Sequence, residues 1–458
     1  MLKLMRIFSM FFAWVVILAV LGVNAYGQGS GAWFVPGAIS QSSVVREWAA
    51  DTSLVCYFDG AQSHWVAVGA SGTALQADMP AWLKVNDFEI DEDSVYFVGQ
   101  TMASLSIGIV GRAKIKDIFA GLPFDYSVVP PVVVGGNANG AYYAHIRSLE
   151  KMDLYRDANG VAVVAFLGSS DWDPDPPVLH PRVYGLTSNA GGIWQIELDL
   201  NKDEVQYYDI AVTDKYIALP FSEPDSNNVC IRVVPKAVGL TQHHDVKLVS
   251  DRVEGGHIAA AGLDGDHLVI GYRYPSSTSQ SPISLYQEPG VAMVKVNIES
   301  DYQVTLADKA HMSMLPQVSA ATKVVDIRYS AAFDRFGLLA TLPVLGGVED
   351  VITEFDNAGS LANTRQGNYE GGHVLHSFDM KDFSRFAASG TGNVELWRYR
   401  MSVPVEDGCL PVLETEWRGS ADQLVGFWLQ SVVAGQLLVP IPVSCTSFEC
   451  GIKKDCQK

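Results

Sequence analysis

The sequence predicts an all-β chain folded as a β-propeller of about eight blades. Three observations predict it. Helical periodicity is scarce, the apolar runs are short and bounded by turn residues, and one two-strand unit recurs along the chain.

Nearly every apolar run is rich in Val, Ile, Tyr and Phe and stops at Gly, Asp, Asn, Pro or Ser. In the recurring unit, a first strand leads through a polar turn to a strand that is apolar on both faces. Asp87-Phe88-Glu89-Ile90 leads through Asp91-Glu92-Asp93 to Val95-Tyr96-Phe97-Val98-Gly99. Asp153-Leu154-Tyr155 leads to Val161 through Phe166, and Asp209-Ile210-Ala211-Val212 leads to Tyr216-Ile217-Ala218-Leu219. Later copies start at His257, Asp326 and His376, and weaker ones at Glu47 and Glu416. Phe333-Asp334-Arg335-Phe336 recurs as Phe383-Ser384-Arg385-Phe386, which supports the alignment.

A spacing near 40–50 residues with about four strands per unit marks a propeller blade. Longer intervals carry loop insertions, as at 120–140 and 276–289. A lone four-stranded sheet buries neither face, so each unit is stable only between two neighbours, and ring closure removes the exposed ends. After Glu416 three good strands remain. The Trp33-Phe34-Val35-Pro36 segment is therefore expected to supply the fourth and close the ring between the N-terminal strand and the last blade. Seven blades is the alternative, should one terminal copy not be a true repeat.

The run Asp87 to Gly99, with Ile107-Gly108 following, resembles repeats in uncharacterised exported β-propeller proteins of anaerobic Gram-negative bacteria. That family has no established activity, so the resemblance implies fold and export alone.

Residues 1–27 read as a signal peptide. Lys3 and Arg6 precede an apolar run from Ile7 to Val23, and small residues then stand at the cleavage positions. Retention of this segment as an anchor is the alternative. Residues 28–444 form the expected propeller and 445–458 a Cys-containing C-terminal tail. No later stretch reaches the roughly 20 apolar residues of a membrane span. The expected location is the periplasm, the outer surface or the medium.

The formal net charge is −19, and the two basic residues of the leader make the mature chain more acidic still. Such a surface repels phosphate backbones and disfavours nucleic acid. In an exported chain cysteines are free to pair, and Cys409, Cys445, Cys450 and Cys456 crowd one end as disulfide candidates. Cys56 and Cys230 lie inside apolar runs and read as buried thiols.

Most units carry a polar residue at one equivalent position: Asp87, Asp153, Asp209, His257, Asp326 and His376, with Glu47 and Glu416 as loose members. On innermost strands these would converge on the central channel, either to bind a ligand or to hold their own blades through backbone N–H groups. The acidic loop Asp171-Trp172-Asp173-Pro174-Asp175 is a second binding candidate. It lacks the Gly and Glu of a helix–loop–helix calcium site, so calcium is the lesser reading and no cofactor is expected. Trp82, Trp194 and Trp397 stand among strand residues and read as core packing.

No catalytic motif occurs. The expected function is a non-catalytic interaction propeller holding a protein or glycan ligand at a loop rim. The alternatives are a glycan-active hydrolase or lyase with channel carboxylates, and a structural envelope component.

Overall fold

The computed structural model describes residues 33–34, 42–49, 52–68, 74–137, 140–171, 182–200, 206–222, 229–249, 258–262, 267–274, 290–298, 304–312, 323–330, 335–344, 347–356, 361–368, 374–380, 383–389 and 394–400. The leader 1–27, the unit expected from Glu416 and the tail 445–458 lie outside the described residues, as do the four disulfide candidates.

The described residues form seven antiparallel sheets of four or five strands and one two-stranded sheet. The first sheet holds Ser42–Ala49, Thr52–Phe58, Ser63–Val68 and Ala74–Asp78. The second holds Leu83–Asp91, Ser94–Thr101, Gly108–Lys114 and Asp125–Val128, with a short helix at Ile115–Phe119. The third holds Ile146–Arg156, Ala162–Ser170, Arg182–Ala190 and Ile193–Leu200. In the fourth, Gln206–Tyr207 and Ala211–Val212 both pair with Tyr216–Ser222, which continues to Val229–Pro235 and His244–Val249. The fifth runs from Ile258–Gly262 to Val304–Met312 and the sixth from Lys323–Ser330 to Leu361–Asn368. The seventh comprises Val374–Met380, Phe383–Ser389, Val394–Arg400 and the N-terminal pair Trp33–Phe34. The two-stranded sheet, Val132–Asn137 with Gly140–Ala144, is a hairpin inserted between the second and third sheets.

Burial explains why second strands read as unbroken apolar runs. Val95 and Phe97 enter a core with Leu54, Cys56 and Trp65 of the first sheet. Tyr96 and Val98, on the opposite face, join Ile146, Met152, Val164 and Phe166 of the third. Ala165 and Leu167 turn the other way, to Ile217, Leu219 and Phe221 of the fourth. A strand covered on both faces needs apolar residues at every position, because successive side chains alternate between faces. The outer strand Ile193–Leu200 instead alternates in exposure.

First strands contact first strands from sheet to sheet in order, and Val374–Met380 of the seventh contacts Ser42–Ala49 of the first. The architecture is that of a β-propeller, mostly antiparallel sheet. Within it the N-terminal pair differs from expectation. Trp33 stands opposite Leu396 and Phe34 opposite Glu395, so its partner is Val394–Arg400 and not a strand after Glu416. Among the described residues the seventh sheet has three strands from its own stretch of chain, and the N-terminal pair lies along the edge of Val394–Arg400.

Several first strands carry a β-bulge, at Val85/Asp87, Leu149/Lys151, Val324/Asp326 and Leu375/Ser377. Two glycines oppose these bulges. A Cβ at Gly99 would lie 2.0 Å from the Lys84 carbonyl oxygen, and one at Gly168 2.2 Å from that of Ser148. Cys56 and Cys230 are both buried, as expected. Among the described residues, no helix is long and apolar enough to cross a membrane.

Candidate functional site at the hub

A bulge re-aims the residues that follow it, and the first strands thereby present acidic side chains to a common cavity of about 220 Å³. Asp87, Asp153, Asp209 and Asp326 all line it. His257 lies outside the described residues. His376 occupies the bulge between Leu375 and Ser377, and the carboxylate that the seventh sheet brings to the cavity is Asp379, three positions later.

The carboxylates share one bonding pattern. Each accepts the N–H of the residue after it: Asp87 from Phe88 at 2.9 Å, Asp153 from Leu154 at 2.8 Å, Asp209 from Ile210 at 2.9 Å, Asp326 from Ile327 at 2.9 Å and Asp379 from Met380 at 2.9 Å. Three of them use the second oxygen to reach a different sheet. Asp87 accepts the Met152 N–H at 3.1 Å, Asp153 that of Val212 at 2.8 Å, and Asp379 that of Glu47 at 2.6 Å. The ring of carboxylates therefore fastens neighbouring sheets through their backbones.

Sequence reading did not single out the cations of this hub. Buried Arg46 bonds Asp87 Oδ1 through Nη2 at 3.0 Å and Glu89 Oε1 through Nε at 2.7 Å. Its Nη1 donates to the Val45 carbonyl at 2.8 Å and to Ser377 Oγ at 3.1 Å. Arg328 of the sixth sheet reaches the same Glu89 oxygen at 2.9 Å and Asp326 at 3.3 Å. Glu89 thus links the first, second and sixth sheets. Lys151 also lines the cavity.

Electrostatics follow this placement. Burial alone would raise Glu89, but the Arg46 and Arg328 guanidinium groups hold it below its ordinary range. At Asp87 burial prevails over Arg46 and Lys151, and its value is raised. Burial would lower Lys151, yet Asp209, Asp87 and Asp326 together raise it. Among the described residues no guanidinium bonds Asp153, and Arg328 acts on it only weakly from a distance. Burial, reinforced by the Glu89 charge, pushes it up to about 7 against the N–H bonds from Val212 and Leu154.

Asp153 should therefore leave a mark on the pH dependence of stability. Its folded value lies above the ordinary value of 3.8, so the folded protein holds this proton more tightly. The associated stabilisation is complete below about pH 4 and is lost as pH rises through about 7, an effect on the order of a few kcal/mol. Asp153→Asn sacrifices one hydrogen bond at every pH but removes the titration. Denaturant unfolding of the variant between pH 4 and 8 should give a flatter stability profile. An unchanged slope would show that another group is responsible.

Among the described residues, no group of three or more His, Cys, Asp or Glu is placed to hold a metal ion. Asp171 accepts the His145 N–H at 2.7 Å and pairs with Arg147, which closes the end of its own hairpin. Burial would raise Asp171, but these donors hold it below its ordinary range. Trp172, Asp173 and Asp175 lie outside the described residues.

The exposed surface differs from expectation at Trp82, which is 40% exposed and not a core residue. It sits in a turn pinned by the Met102 N–H on its carbonyl at 2.7 Å, so its ring stands at the sheet's edge and not between two sheets. Trp194 is partly buried against the core between the second and third sheets.

The chain matches no family model, and no curated protein gives a significant match. Solved structures do match. Hydrazine synthase of Kuenenia stuttgartiensis is 9% identical over 82% of this chain and 99% of that one, with a TM-score of 0.48. The β-propeller domain of the Trilobed protease from Pyrococcus furiosus, described as having an open velcro topology, is 7% identical over 80% and 98%, with a TM-score of 0.42. The acylaminoacyl peptidase of Pyrococcus horikoshii is 11% identical over 82% of this chain and 53% of that chain, with a TM-score of 0.42.

Proposed function

We propose that the chain is an exported, seven-bladed propeller that binds a protein or glycan at its periphery and uses its hub as a structural fastener. The observation that carries the binding role is a concentration of exposed apolar side chains. Eleven large hydrophobic residues are exposed among the described residues, and nine of them fall between Trp82 and Tyr143. They lie on the second sheet and the inserted hairpin, and include Trp82, Leu105, Tyr126, Val133, Tyr142 and Tyr143. A concentration of exposed apolar side chains of this kind supports a contact site.

Seven blades account for the seven large sheets. Closure between the first and last is supported by the Trp33–Phe34 pairing, the Asp379–Glu47 bond and the Val45 N–H on Ser377 Oγ at 3.3 Å. The N-terminal leader motivates export.

A glycan-active hydrolase is the second reading, favoured by Asp153 near neutrality in the same cavity as ionised Glu89. Three facts weigh against it. Both Asp153 oxygens already accept backbone N–H groups, and Glu89 is held by two guanidinium groups. The cavity, at about 220 Å³, is also smaller than the roughly 300–1,000 Å³ of ordinary ligand sites. Screening the mature protein on a glycan array, with mass spectrometry of the supernatant, tests the choice. Retention without cleavage is expected. Released oligosaccharides would overturn the non-catalytic reading, whereas a complete blank would direct the search to a protein ligand.

A further inference from the structure

We infer that Trp82, Phe124 and Tyr126, at the outer edge of the second sheet, form a stacking platform for a neutral glycan chain. The assignment rests on the binding role proposed above and names its ligand class and its site. The three rings form one continuous group. Trp82 and Tyr126 lie 5.2 Å apart at 48°, Phe124 and Tyr126 5.6 Å apart at 47°, and Trp82 and Phe124 6.2 Å apart at 30°.

The group is rooted in the core. Phe124 meets buried Phe97 edge-on at 5.6 Å, and Tyr126 stands opposite Gly111 across the sheet. A Cβ at Gly111 would lie 2.2 Å from the Phe97 ring, so the absence of a side chain there is what admits that ring. With the Trp82 backbone pinned as well, the platform loses little freedom when a ligand arrives. Trp82 and Tyr126 nonetheless remain 40% and 45% exposed.

Partly exposed rings suit a pyranose, which has an apolar C–H face to lay against them.

Charge selects a neutral chain. The protein is strongly acidic, and two cations of the second sheet are engaged with other rings. Arg112, paired with Asp125 across the sheet, lies over the Tyr96 ring at 5.4 Å, and Lys84 lies over Phe58 at 4.9 Å. An anionic sugar would be disfavoured by the protein's net negative charge.

The test is calorimetric titration of the mature protein with cellohexaose, mannohexaose and hexagalacturonate. Four variants accompany it: Trp82→Ala, Tyr126→Ala, Trp82→Phe and Ile193→Ser, the last altering an exposed apolar residue of the third sheet. Binding of a neutral hexaose should weaken at least about tenfold in Trp82→Ala and Tyr126→Ala. It should persist in Trp82→Phe and Ile193→Ser, with far-ultraviolet circular dichroism unchanged throughout. Undiminished binding by Trp82→Ala would overturn the platform while leaving the binding role intact. Preference for hexagalacturonate would overturn the neutral-ligand assignment. Failure of the native protein to bind any of the three would overturn the glycan assignment and leave the exposed face to a protein ligand.

Discussion

Arg46→Met will lower the stability of the protein by about 3–5 kcal/mol, the loss expected when one member of a buried ion-pair network is removed. Arg46 is 2% exposed and holds Asp87 and Glu89 together, while its third nitrogen ties the first sheet to Ser377 of the seventh. Methionine fills most of the volume but leaves Asp87 without its guanidinium and Glu89 with Arg328 alone. At about 2.1 cal/mol/K of unfolding entropy per residue, a unit of this size should melt roughly 4–6 °C lower. The deficit should shrink as pH falls toward 4, because the abandoned carboxylates then take up protons and no longer need a cation. Scanning calorimetry at pH 8 and pH 4.5 checks both statements. An equal deficit at the two pH values would mean that Arg46 acts through packing over Phe88, 5.6 Å below it, and not through charge.

Asp379→Ala is the second large effect. It removes the acceptor for two backbone N–H groups, one on Met380 and one on Glu47 across the junction of the seventh and first sheets. A buried donor left without an acceptor costs about 1–3 kcal/mol, so about 2–5 kcal/mol is expected. Hydrogen exchange should quicken at Glu47 and at neighbouring amides of the first strand before it does so in the third sheet. Asp379→Asn keeps one acceptor and should recover part of the loss. If Asp379→Ala melts within 1 °C of the native protein and residues 43–47 keep their protection, this junction is not held by Asp379 and closure must be sought elsewhere.

Much of the hub was legible because it repeats. Asp87, Asp153, Asp209 and Asp326 recur before the same kind of turn and strand, and a position repeated along the chain becomes a ring in space. The seventh member was misplaced for a local reason. Counting along the chain stops at His376, inside the bulge, while the carboxylate that lines the cavity stands three positions later, at Asp379. The cations had no comparable signal. Arg328 and Glu89 are 239 residues apart, and nothing local to either marks the other as a partner. Trp82 was misread because residue type reports a wish for burial but not which ring lies at an edge.

The amino-acid order by itself determined the kind of structure: short strands, polar turns and sheets apolar on both faces, which must stack because none can shield itself. It also marked the acidic position common to most units, since local backbone bonding demands it in each sheet separately. Only the tertiary structure decided which strand receives the N-terminal pair, which guanidinium groups neutralise the hub, and where the aromatic edge faces solvent. Those outcomes depend on contacts between sheets distant in the chain, and such contacts leave no periodicity to read.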